Sequence, residues 1–263
     1  MRRLCVGDIH GCYDKLMETL DKCRFSDSDI LYSVGDFTDR GNQNIKTLNF
    51  LMNLKNFYPV VGNHDLWNYE YLSNTVTRDA FRCWDMYNGG ELTYNEESKQ
   101  TDTWRKKVAK WLGAIPYRID LGDFVIIHSV CPKTMYEGID VSKVTMKTLK
   151  SSGLITDEVY DESVWNRAIL EGCHDYQRLS HFKPTFDQRV REIYSKEFTG
   201  DPIYVIGHTP LDHPFYDKEM GIIGIDTGAF CTKKVYGIEG HLTILDLDSL
   251  EYWQSGKEGS FSL

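Results

Sequence analysis

The feature that most constrains this chain is a punctuation that recurs three times in its first 64 residues: a short apolar run stops at glycine, and a side chain able to hold a cation follows. Residues 2 to 6 run into Gly7-Asp8, Ile30-Leu31-Tyr32-Ser33-Val34 into Gly35-Asp36, and Tyr58-Pro59-Val60-Val61 into Gly62-Asn63-His64. Short apolar runs closed by Gly and Asp or Asn read as strands that end in polar turns. Between them, Leu16, Leu20 and Cys23, and then Ile45, Leu48, Leu51 and Met52, fall at helical spacing. Strand and helix alternate, so the expected class is α/β, with loops opening at the carboxyl ends of the strands.

Further apolar runs obey the same rule. Phe124 to Ile127 precede His128, Ile203 to Ile206 precede Gly207-His208, and Gly221 to Ile225 precede Asp226-Thr227-Gly228; His241 to Leu247 reads as a late strand. From Leu66 to Leu112 the pattern is aromatic and mostly helical, holding Trp67, Tyr69, Tyr71, Phe81, Trp84, Tyr87, Trp104 and Trp111, and is expected to form a helical cap with its own core. Residues 133 to 165 are polar and irregular, the pattern of a surface loop with short helices. A chain of 263 residues with 41% apolar content can bury one large core, so residues 1–263 are expected to form a single domain with 66–112 inserted as the cap.

Charge and cysteine usage narrow the partners. Thirty Lys and Arg against 39 Asp and Glu leave a formal charge of -9, which provides no global attraction for nucleic acid or an anionic membrane. An anionic substrate has to be met by local cations. No stretch approaches the roughly 20 apolar residues of a membrane helix, and the N-terminus passes into Gly7-Asp8 too soon for a signal peptide. Seven scattered cysteines without a Cys-x-x-Cys pair are expected to be reduced thiols, and the expected location is cytoplasmic.

Five strand ends deliver metal-ligating types: Asp8 with His10, Asp36, Asn63 with His64, His128, and His208. Carboxylate, imidazole and amide together suit a borderline divalent ion, manganese first with iron or zinc as alternatives, and suit calcium poorly. A phosphoryl centre is anionic and repels hydroxide, so a catalyst built from such residues works best with two ions about 3.5–4 Å apart. Asp36, at the middle of the first three strands, is the candidate bridge. The remaining histidines His174, His181, His213 and His241 lie outside these blocks and read as ordinary surface or core residues.

Gly7-Asp8-Ile9-His10-Gly11, Gly35-Asp36-Phe37-Thr38-Asp39-Arg40-Gly41 and Gly62-Asn63-His64, with His128 and Gly207-His208-Thr209-Pro210 downstream, resemble the phosphoprotein phosphatase family of the calcineurin-like metallophosphoesterases, especially its small bacterial and phage members. The likeness spans residues 7 to about 245. It implies a four-layer α-β-β-α sandwich of two mixed sheets. It implies also that Asp8 and His10 bind one metal, that Asp36 bridges, and that Asn63, His128 and His208 bind the second. By the same likeness His64 is the general acid, oriented by Asp39, and Arg40 holds phosphate oxygens. A second phosphate-binding arginine follows a tryptophan in bacterial members, which Trp165-Asn166-Arg167 matches.

The expected reaction is one-step hydrolysis of a phosphomonoester by metal-bound hydroxide, on phosphoserine or phosphothreonine in protein. One departure is Asp65, where the protein phosphatases usually carry glutamate. A dinucleoside tetraphosphatase, or a phosphatase of nucleic-acid ends or caps, is the alternative enzyme, and Asp226-Thr227-Gly228-Ala229-Phe230 fits either. An inactive metal-binding scaffold is the non-enzyme alternative, which the presence of His64, Asp39 and Arg40 together opposes.

Overall fold

The computed structural model describes residues 1–129, 145, 164–167, 188, 191–192, 202–237 and 239–263. Its first half is a strand and helix alternation: β1 (Arg3–Val6), α1 (Tyr13–Lys22), β2 (Ile30–Ser33), α2 (Asn44–Asn53) and β3 (Phe57–Pro59). These strands are parallel, with Leu4 opposite Leu31 and Tyr32 opposite Tyr58. Parallel pairing leaves all three carboxyl ends on one edge, where the Asp8, Asp36 and Asn63 turns lie together.

Four helices follow, α3 (Asn63–Leu72), α4 (Arg78–Asn88), α5 (Gly90–Glu97) and α6 (Asp102–Leu112). Thr77 and Thr101 start α4 and α6 by accepting from Ala80 N and Trp104 N, which satisfies amides that a helix leaves unpaired. Tyr71, Phe81, Trp84 and Tyr94 form an aromatic cluster among these helices, with ring centroids 5.5 to 6.1 Å apart. Leu66, Val108 and Leu112 instead join the apolar cluster that covers the first sheet. The segment is thus continuous with the main body on one side and aromatic on the other.

The second sheet holds β4 (Arg118–Asp120), β5 (Phe124–Ile127), β6 (Ile203–Ile206), β7 (Phe215–Asp217) and β8 (Ile222–Gly224), in the order β4-β5-β6-β8-β7. Here β5, β6 and β8 are parallel, and β4 and β7 flank them antiparallel. After α7 (Lys233–Tyr236) the chain returns to the first sheet as β9 (Thr243–Asp246), β10 (Glu251–Gln254) and β11 (Phe261–Ser262), giving the order β11-β10-β9-β1-β2-β3.

Strand alternation assigns the layers. Leu4 and Val6 of β1 pack with Leu16 and Leu20 of α1 and Leu48 and Leu51 of α2, each such buried leucine worth about 1.5–3 kcal/mol. Cys5 points the other way, into a core between the sheets shared with Tyr32, Phe124, Ile126, Val205 and Ile223. Val125, Ile127, Tyr204 and Ile206 form the opposite face of the second sheet. The helices expected outside that face, and the loop expected at 133 to 165, lie largely outside the described residues. No helix among the described residues is long and apolar enough to cross a membrane. Cys5, Cys12, Cys23, Cys83 and Cys231 are free thiols, and burial raises Cys5 and Cys231 well above the ordinary thiol range.

Candidate active site

Six parallel strands, three from each sheet, end at one place. β1 leads to Asp8 and His10, β2 to Asp36, Asp39 and Arg40, β3 to Asn63 and His64 at the start of α3, β5 to His128, β6 to His208 and β8 to Asp226. The turns are tight. Of nine non-glycine residues in the left-handed backbone region among those described, five are His10, Asp36, Asp39, Arg40 and His208. That conformation costs energy for an L residue, so its concentration here marks a region whose geometry the surrounding fold imposes.

Burial is nearly complete: Asp8, His10, Asp36, Asn63, His64 and His128 are sealed, and His208 is 6% exposed. Two groups able to hold a metal ion share one carboxylate. His10, Asp36 and His64 offer atoms within 4.8 Å of one another, and so do Asp36, His128 and His208. Asp36 is therefore common to both groups. His64 completes the first group by distance. Asp8, expected there, keeps Oδ1 without a hydrogen-bond partner and uses Oδ2 to accept from His208 N at 2.9 Å.

The hydrogen bonds reveal what these atoms need. His128 Nδ1 lies 2.7 Å from the Val34 carbonyl, which can only accept, so the proton is on Nδ1 and Nε2 presents a lone pair. That lone pair meets two more acceptors, Asn63 Oδ1 at 3.0 Å and Asp36 Oδ2 at 3.5 Å. His10 repeats the arrangement: Nδ1 donates to Thr38 O at 2.9 Å, and Nε2 faces Asp36 Oδ2 at 3.6 Å. Convergent lone pairs repel unless a cation lies among them. The donor set fits divalent ions.

Electrostatics agree. Burial pushes Asp36 up to about 7. Asp8 rises well above the carboxylate range, first through burial and then through the charges of Asp226 and Asp36. Burial likewise holds His10, His64 and His208 well below the ordinary imidazole value and His128 at about 3, so the rings are neutral and available as ligands.

Two groups flank the clusters. His64 Nδ1 donates to Asp39 Oδ2 at 2.6 Å, and His64 Nε2 is buried without a partner. The Arg40 guanidinium lies 4.5 Å from the Phe230 ring centroid and 3.4 Å from His10 Nε2. Arg167 donates to Thr209 Oγ1 at 3.3 Å, and its charge reaches Asp36, His64, His128 and His208. Both expected arginines thus lie close enough for their charges to reach His64, His128 and His208. Asp65 accepts from Asp36 N at 2.7 Å, Phe37 N at 2.8 Å and Gly62 N at 2.9 Å, so its carboxylate ties the turns after β2 and β3 together.

Asp226, Phe230, Trp84 and Thr93 were not singled out as site residues from sequence. Asp226 is 1% exposed, is pushed up to about 7 by burial, and leaves Oδ2 without a partner. It obeys the same strand-end rule as Asp8 and Asp36, which is the signal that could have found it. His174 and His181 lie outside the described residues.

The calcineurin-like phosphoesterase family matches residues 1–229. The chain is 33% identical to serine/threonine-protein phosphatase 2 of Salmonella typhimurium, over 86% of its own length and 87% of that protein's. It is 32% identical to the symmetrical bis(5'-nucleosyl)-tetraphosphatase of Neisseria meningitidis, over 97% of its length and 95% of that protein's. The crystal structure of the cold-active protein-tyrosine phosphatase of a psychrophilic Shewanella superposes with a TM-score of 0.61 at 16% identity, covering 98% of this chain and 80% of that one, a likeness of fold. With its strand-end Asp, Asn and His side chains gathered at one edge, the chain belongs to the calcineurin-like phosphoesterases and is a phosphoester hydrolase of that family.

Proposed function

We propose that the chain is a phosphomonoester hydrolase that uses two divalent ions, manganese by preference, and acts on phosphoserine or phosphothreonine in protein. The observation that carries this reading is the pair of ligand groups sharing the buried Asp36. Asp8 and His10 would hold the first ion, Asn63, His128 and His208 the second, and Asp36 would contribute to both. When bound, the ions supply positive charge to the ester oxygens and acidify water near neutral pH.

The chain's own side chains do the rest. Arg40 and Arg167 present guanidinium donors to the phosphate oxygens, which suits phosphate geometry better than ammonium would. Phe230 beneath Arg40 holds that guanidinium in place. His64 donates a proton from Nε2 to the leaving oxygen, with Asp39 fixing the ring through Nδ1. Burial and the charge of Arg40 favour neutral His64, so the proton is taken up with the substrate, whose phosphate charge offsets the arginine.

Similarity to the Salmonella phosphatase supports the protein substrate. Asp65 bonds to three backbone amides of the Asp36 and Gly62 turns, which preserves the site whichever substrate is taken. Similarity to the Neisseria tetraphosphatase, over a greater share of the chain, favours a second reading as a dinucleoside tetraphosphatase. Turnover of the manganese-loaded chain on a phosphothreonine peptide and on diadenosine tetraphosphate separates them. The peptide is expected to be the better substrate; a hundredfold advantage for the dinucleotide would overturn the protein reading. No turnover of para-nitrophenyl phosphate with any divalent metal would remove the hydrolase mechanism altogether.

A further inference from the structure

The Asp39 carboxylate is held by more than His64. Its Oδ2, which accepts from His64 Nδ1, also accepts from the indole Nε1 of Trp84 at 2.6 Å, and its Oδ1 accepts from the Thr93 hydroxyl at 2.5 Å. The same Thr93 oxygen accepts from Asp39 N at 3.0 Å, alongside Asn44 Oδ1 at 3.0 Å. All of Asp39, Trp84 and Thr93 are 0% exposed. Trp84 belongs to α4 and Thr93 to α5, so two helices of the 66–112 segment reach the dyad through Asp39.

These contacts are built into the packing. A Cβ on Gly90 would lie 2.4 Å from the Trp84 ring, so only glycine lets α5 start where the indole lies. Thr93 and Glu97 are one turn apart on α5, and His64 and Asn68 are one turn apart on α3. The Asn68 amide donates to Glu97 at 3.0 Å, a second rung between the same two helices. Asp39 itself has φ 73°, a strained conformation that needs support from outside its own turn.

We infer that Trp84 and Thr93 are positioning residues for the general acid: their donors lock the Asp39 carboxylate in the orientation that keeps the His64 Nε2 aimed at the leaving oxygen. Neither touches substrate. An Asp39 free to rotate would let the imidazole turn, and misplacement by about 1 Å is enough to cost on the order of 100-fold in rate. The inference rests on the general-acid reading above.

Thr93→Val removes the hydroxyl at nearly constant volume, and Thr93→Ser keeps it. In the manganese-loaded full chain, Thr93→Val is expected to lower kcat on an alkyl phosphate by roughly 10- to 100-fold, part of the 10²–10⁴ that a general acid supplies, with KM nearly unchanged. On para-nitrophenyl phosphate, whose leaving group needs little protonation, the loss is expected to stay under about threefold. Thr93→Ser restores the alkyl phosphate rate, and Trp84→Phe behaves as Thr93→Val does. A second readout is free of turnover: in the metal-free chain, the downfield proton resonance of His64 Nδ1–H shifts in Thr93→Val and returns in Thr93→Ser. If His64→Asn is impaired on the alkyl phosphate and Thr93→Val is not, the inference falls alone. Full turnover in His64→Asn would bring down the general-acid reading and the inference together.

Discussion

Gly207 is packed so closely against Asp8 that a Cβ on it would lie 2.1 Å from the carboxylate Oδ1, the oxygen that has no hydrogen-bond partner. The absence of a side chain on β6's turn is what allows Asp8 of the first sheet to sit beside His208 of the second. Gly207→Ala is expected to displace Asp8 and to destabilise the chain by about 1–3 kcal/mol, the usual cost of overpacking. Manganese content after gel filtration should fall with it. A variant that keeps full metal content and an unchanged melting temperature would show that the two turns are not coupled.

Asp36→Asn is expected to lose both ions, because its carboxylate is common to both ligand groups. His64→Asn is expected to keep them and to lose about 10²- to 10⁴-fold in kcat on alkyl phosphates. His64 also lies within ligand distance of Asp36, so metal content decides between acid and ligand. Loss of one ion in His64→Asn would make it a ligand.

Metal uptake should depend on pH with a definite sign. Burial pushes the Asp36 carboxyl up to about 7, so below that pH the metal-free site carries a proton on the shared ligand. Proton and metal compete for the same oxygen, and affinity for manganese falls as pH drops, by about tenfold per unit for one proton released. Titration calorimetry in two buffers of different ionisation enthalpy counts that proton. A buffer-independent heat at pH 6 would contradict the assignment.

Far from the site, Asp29 ties the start of β1 to the turn before β2. Its carboxylate accepts from Arg2 Nη2 at 2.8 Å and from the Arg2 and Ser26 amides, and the Arg2 guanidinium holds it well below the ordinary carboxylate range. A depressed folded value contributes stability that is present above the unfolded value near 4 and is lost as pH falls below it. Asp29→Asn should therefore cost about 1–2 kcal/mol at pH 7, allowing for the partly exposed arginine, and progressively less below about pH 4. Urea denaturation at the two pH values measures it; an equal cost at both would rule out the charge as the cause.

The sequence by itself determined the alternation of strand and helix from Arg3 to Pro59, because apolar runs closed by Gly-Asp are local signals of strand and turn. It pointed also to the Asp, Asn and His side chains that the fold gathers at one edge, because each stands at or just after the end of such a run. The structure adds what has no local signature. That β9, β10 and β11 return beside β1 depends on which sheet edge remains open, a property of the assembled first half. Asp226 joins Asp8 only because β8 is parallel to β6, and Phe230 meets Arg40 only across the two sheets. Trp84 and Thr93 read in sequence as ordinary helix residues; they reach Asp39, 45 and 54 positions earlier, only when α4 and α5 fold over the turn after β2. Strand ends announce their ligands through short-range patterning, whereas the groups that orient those ligands are chosen by packing between distant segments, and only the tertiary fold decides it.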